Sequence, residues 1–279
     1  MIISWLLDPM QYVFMQRGLI AALIIGVLCA VIGCYVVLRS MAFLGDALAH
    51  AILPGVAIAY LLGGSLLIGA LVAAIVVAIA IGFFSRGGMI REDTAIGILF
   101  AAALSLGVAL ISSIRTYAVD LSHIMFGNIL GVSAADLWLV GVLSALVLII
   151  LVVLYRPFLV VTFDPVLAKT LRLPTEGLRN LMLILLAVTI VVSMQTVGIG
   201  LVAAMLVTPA AAAYLLTSRL PMMMVVSGLI GGLSSLIGLY LSYHLSIASG
   251  AAIVLVATGF FLLAFFFSPR RGLAWKAFR

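Results

Sequence analysis

The sequence predicts an all-α integral membrane protein, a polytopic bundle of about eight or nine crossing helices, on three observations. Hydrophobic residues make up 67% of the chain and charged residues only 8%, against about 25% charged in soluble domains. The 279 residues divide into successive apolar runs of about 20, the length that crosses a hydrocarbon core about 30 Å thick. The connections between runs are short, so residues 1–279 form one transmembrane domain and the chemistry has to sit in the bundle or its loops. The net charge of +6 does not point to nucleic acid, because the basic residues stand singly in loops beside the runs instead of clustering with aromatics on one face.

Residues 1–16, short and mixed with Trp5 and Tyr12, read as a segment lying at the membrane interface. A cleaved signal is not expected, since a basic n-region is lacking and Asp8-Pro9 precedes the first long run. Residues 18–38, 41–62 and 65–84 are the first three spans, the last two joined tightly through Gly63-Gly64. Cys29 and Cys34, five apart on one helix and so on different faces, are not expected to pair. The connection SRGGMIREDT leads to a fourth span at 95–114, with Glu92 and Asp93 where a helix N-terminus favours negative side chains. The following stretch, RTYAVDLSHIMFGNILGVSAAD, holds Asp120 and His123 and is too short and polar for a span, so it reads as a re-entrant or interfacial helix.

A fifth span covers 136–155, and residues 156–180 are the longest and most charged connection, expected outside the lipid. Within it DPVLAKTLRLP reads as a short amphipathic helix with Asp164 as N-cap, Pro165 at N1, Leu167, Leu171 and Leu173 as its apolar residues, and a stop at Pro174. The sixth and seventh runs, 181–196 and 199–216, nearly merge around Met194 to Gly198, and reading them as one broken unit would give eight crossings. Thr208-Pro209 predicts an interruption of the seventh. Runs 221–243 and 247–267 complete the bundle.

The second run carries the chemistry. It holds Asp46 and His50 in an otherwise apolar stretch, near its middle when counted from Met41. Each ionisable group costs roughly 2.5 kcal/mol or more near the bilayer centre, so such groups normally face a bundle interior or a water-filled path. At i and i+4 they share a helix face, where a carboxylate and an imidazole can converge on a divalent cation. Pro54 and Gly55 follow within a turn and predict a bend and a freed carbonyl beside the pair. The competing reading is an Asp-His hydrogen bond that only ties two helices together.

Basic residues orient the chain. With nine crossings and a cytoplasmic C-terminus, 12 of the 14 Lys and Arg residues fall inside and only Arg17 and Arg115 outside. The positive-inside rule therefore predicts N-terminus out, C-terminus in.

The run VVLRSMAFLGDALAHAILPGVA resembles the permeases of bacterial ABC importers for manganese, zinc and iron, through Arg39, Met41, Gly45, Asp46, His50, Pro54 and Gly55. Colinear matches follow at Glu92-Asp-Thr-Ala-Ile-Gly, at Phe126-Gly-Asn-Ile-Leu130, at Asp164-Pro-x-x-Ala168 and from Val197 to Pro209. The resemblance implies a type II importer-like permease in the bacterial plasma (inner) membrane. It implies a homodimer with two cytoplasmic ATPase subunits and an extracytoplasmic metal-binding protein, surrounded by lipid, with no permanently bound cofactor. The cargo it implies is a divalent metal, manganese first, with zinc or iron as alternatives. It also implies that Asp46 and His50 are intramembrane metal ligands. The helix with Asp164, Pro165, Ala168, Leu171, Leu173 and Pro174 matches the coupling helix that docks on the ATPase. Asp120 and His123 are candidates for an outer gate or accessory contact. The chain has no G-x-x-x-x-G-K-[ST] loop, so ATP hydrolysis would fall to another subunit. An ion-coupled secondary metal transporter is the alternative, since broken spans serve that class too. A membrane hydrolase finds neither H-E-x-x-H nor a plausible G-x-S-x-G setting here.

Overall fold

The computed structural model describes residues 8–86, 90–113 and 129–268. Among them are twelve α-helices: α1 Val13–Leu38, α2 Leu44–Ala51, α3 Leu53–Leu61, α4 Leu66–Phe84, α5 Glu92–Ser112, α6 Ala134–Val153, α7 Tyr155–Phe163, α8 Pro165–Thr170, α9 Thr175–Val197, α10 Ile199–Leu216, α11 Leu220–Leu245 and α12 Ser249–Phe267. Counting α2 and α3 as one broken crossing, nine helical runs among the described residues are long and apolar enough to span a membrane. Gly198 separates the sixth crossing from the seventh with φ +85°, in the region glycine adopts freely, and this decides between eight and nine.

The centre is built from α1 and α9, the most buried of the long helices, while α4, α5, α6 and α12 turn most of their apolar surface outward. Such an inside-out distribution suits a bilayer, where lipid rather than water meets the outer faces. Packing is close because small residues meet: α1 lies along α11, where the Ser227 hydroxyl donates to the Ala30 carbonyl oxygen at 2.7 Å. Gly55 of α3 and Gly69 of α4 face one another so closely that a Cβ on Gly55 would stand 2.6 Å from Ala73 Cβ. Cys29 and Cys34 are both free thiols.

Several boundaries differ from the expectation. The first crossing begins at Val13, not 18, because Val13 to Met15 extend the apolar run and Arg17, near the helix end, can reach the surface with its head group. Residues 175–180 belong to α9 and not to the preceding loop, since Pro174 caps the helix and Glu176 favours its first turn. Helix α8 ends at Thr170, short of Pro174, where Arg172 at φ +55° turns the chain and the Leu173 amide donates to the Ala168 carbonyl. Helix α10 passes through Pro209 without interruption: the ring removes a single donor, and the buried packing around Pro209 holds the helix together.

Candidate metal site

Helix α2 begins three residues after Met41, so His50 lies about 9 Å along the 18-residue crossing, just to the Arg39 side of its middle. The break falls at Ile52, and Pro54 sits in the first turn of α3, where its missing amide costs least. The carbonyl that Pro54 fails to serve is that of His50, yet it is not left free, because the Ile52 amide donates to it. The expected interruption is therefore present, at Ile52, and the expected open carbonyl is not.

Asp46 and His50 do share one face. His50 Nδ1 lies 3.0 Å from the Asp46 carbonyl oxygen and 3.6 Å from Asp46 Oδ1. A carbonyl oxygen only accepts, so Nδ1 carries the proton in this hydrogen bond, and the neutral imidazole so oriented has its lone pair on Nε2. The imidazole is thus held in the tautomer that can ligate through Nε2. Phe100 of α5 sets its ring edge-on to the imidazole at 6.0 Å and to Phe43 at 5.5 Å, forming an aromatic wall. Behind the pair, Gly45 lets α2 seat against Leu206 of α10.

The pair is not sealed inside the chain: the Asp46 side chain is 43% exposed and that of His50 25%. Their face also carries the exposed Phe43. A polar pair on an uncovered intramembrane face calls for water, a cation or another subunit, since lipid tails satisfy none of its groups. Among the described residues no three His, Cys, Asp or Glu side chains converge. One copy therefore offers one carboxylate and one imidazole, an incomplete set for a four- to six-coordinate ion.

At the Arg39 end the loops gather around a cleft of about 590 Å³. Asp164 caps α8 through Oδ1, which accepts from the Val166 and Leu167 amides at 3.1 and 2.8 Å. Ala168 is fully buried, while Val166, Leu167 and Leu171 project apolar surface outward, Leu173 is half-buried and Pro174 exposed. Arg179 braces the root of α9: Nη2 donates to the Gly82 carbonyl at 2.6 Å and to Glu176 Oε2 at 2.8 Å, and Nη1 to the Ser85 carbonyl at 3.3 Å. Burial pushes the Arg39 guanidinium pKa down and nearby Arg179 adds to this, with Glu92 opposing both.

Glu92 and Asp93 both stand in the first turn of α5, after the N-cap Arg91, as expected. Asp93 is exposed, whereas Glu92 is half-buried and its Oε1 is buried without a hydrogen-bond partner among the described residues. Phe100 and Arg179 were not legible as site residues: neither bears a motif, and each reaches its partners only through tertiary packing. Asp120, His123 and the Phe126 to Asn128 part of the matched segment lie outside the described residues.

Comparison with known proteins follows the same lines. The ABC 3 transport family matches residues 11–268. The manganese transport system membrane protein MntC of Halalkalibacterium halodurans is 48% identical over 270 residues, covering 97% of this chain and 92% of that protein. The chelated iron transport system membrane protein YfeD of Yersinia pestis is 38% identical over 268 residues, covering 96% and 90%. The solved structure of PsaBC from Streptococcus pneumoniae in complex with Fab is similar with a TM-score of 0.85 and 38% identity, covering 97% of this chain and 98% of that one.

Proposed function

The chain belongs to the ABC 3 transport family, and from that premise we propose that it is the permease subunit of an ATP-driven importer of divalent transition metal, with manganese as cargo. It is a multi-pass membrane protein and a transporter component, not an enzyme. The observation that carries the proposal is the Asp46–His50 pair, placed within a broken crossing on a face the chain leaves uncovered. Manganese is supported by the name of the 48% identical relative, while a donor set of one carboxylate and one imidazole suits manganese, iron and zinc alike. Iron or zinc are the alternatives.

The partners follow from what the site lacks. A second copy of the chain, meeting the uncovered face of α2 and α5, would supply a second carboxylate and imidazole to one path. Two cytoplasmic ATPase subunits would receive the apolar patch of Val166, Leu167 and Leu171, and an extracytoplasmic binding protein would deliver the metal. The proposed orientation is N-terminus outside and C-terminus cytoplasmic. It is supported by the basic-residue bias and by the convergence of Arg39, Arg91, Lys169 and Arg179 on one end of the bundle. In this orientation Asp120 and His123 fall on the outer side, where they would serve a gate.

Within the path the residues act by moderate binding. Neutral His50 presents Nε2 and Asp46 its carboxylate, and the remaining positions stay with water or the second copy, so the ion is held and then released. The test is metal accumulation in cells expressing the whole transporter, with manganese, iron and zinc measured together. The proposal expects manganese to rise. A rise in none of the three would refute it, and a rise in iron or zinc alone would reassign the cargo.

A further inference from the structure

The cleft at the Arg39 end is lined from two sides. One wall is the loop region: Lys169 of α8 with Glu176 and Arg179 of α9. The other is the root of the two elements that build the metal site. Arg39 caps the end of α1, and after the left-handed turn at Ser40 the chain enters α2, which carries Asp46 and His50. Glu92 begins α5, which carries Phe100 against His50.

The charges in this cleft are unequally settled. Arg179 and Glu176 pair with one another, and Arg179 is further fixed on two carbonyls of the α4 end. By contrast Arg39 Nη1 and Glu92 Oε1 are both buried and neither has a hydrogen-bond partner among the described residues. A half-buried cation and a half-buried anion, each with one buried and unsatisfied atom beside the same cleft, are costly as they stand. A small closure that joined them would satisfy both at once. Lys169 of the loop helix lines the same cleft and is exposed, so it brings a second cation to it.

We infer that Arg39 and Glu92 are positioning residues for transport: Glu92 exchanges between Arg39 and the α8 wall, so that movement of the 164–174 loop resets the roots of α2 and α5 and with them the metal site. The inference rests on the permease reading above and adds to it the route by which the loop reaches the site. It requires no new ligand, only a bistable ion pair at a joint.

The test uses the complete transporter, with both ATPase subunits and the binding protein, in proteoliposomes, reading manganese imported per ATP hydrolysed. Glu92→Gln keeps the shape and removes the charge. It is expected to lower that ratio about fivefold or more while ATP hydrolysis continues, with Glu92→Asp restoring most of it. Arg39→Gln reads the same pair from the other side and should fall with Glu92→Gln. An unchanged ratio in both variants would overturn the inference, as would a parallel fall of transport and hydrolysis. Failure of both variants to assemble would also overturn it, since the pair would then be a folding element. If the parental complex imports no manganese, the permease reading itself has failed; where the parent imports, only the role of the pair is at stake.

Discussion

Replacing Arg179 by Met should loosen the base of the bundle by an amount that follows from its bonds. The last carbonyls of a helix lack intrahelical donors, and Arg179 supplies the α4 end through Gly82 at 2.6 Å and Ser85 at 3.3 Å. A hydrogen bond from a charged donor contributes about 1.5–3 kcal/mol, and the shorter bond to Gly82 should carry most of it. The Glu176 contact is worth less, about 0–1 kcal/mol, because that carboxylate is 44% exposed. Losing the set while leaving two carbonyls short of donors should cost about 2–4 kcal/mol. Arg179→Lys keeps a point charge without the fork and should lose about half as much. The assay is equilibrium unfolding of the purified permease in mixed micelles of increasing dodecyl sulfate fraction, followed by helical circular dichroism. A Met variant within about 0.5 kcal/mol of the parent would show that the bonds carry no stability.

Three further outcomes are expected. Leu171→Asp places a charge on the outward apolar patch of the α8 turn and should abolish ATP-driven uptake in an inserted permease; unchanged transport with a normally bound ATPase would remove that patch from the interface. A Cys at Lys169 should resist an impermeant thiol reagent in intact cells and react once the membrane is opened, and labelling in intact cells would reverse the orientation. Gly55→Ala drives a methyl into α4 beside Ala73 and should cost about 1–3 kcal/mol in the same micelle titration, so a neutral result would contradict the tight α3–α4 approach.

The helical bundle was legible because membrane spans announce themselves by length and hydropathy, and the polar pair because Asp46 and His50 stand out against an apolar run. The helix break was foreseen from Pro54, but its position was not: proline is tolerated in a first turn, so the interruption moved back to Ile52. Pro209 shows the converse, a proline that sequence alone reads as a break and that packing carries through a continuous helix. The aromatic wall of Phe100 could not be read, since fifty residues separate it from His50 and no spacing links them. Arg39 illustrates a different failure. As one of the twelve basic residues predicted on the cytoplasmic side it looked like a topology determinant, and only the folded loops bring it to Glu92 beside the cleft.

The central claim is that Asp46 and His50 hold the cargo on its path and are not merely a hydrogen-bonded pair. The most direct measurement is radioactive manganese uptake by the assembled transporter in proteoliposomes with Asp46→Asn and His50→Ala, each checked for assembly with its ATPase. Asp46→Asn removes the carboxylate charge with little change of shape, and His50→Ala removes Nε2, so both should abolish uptake while the complex stays intact. Transport at the parental rate and half-saturating concentration in either intact variant would contradict the claim and leave the pair a structural contact.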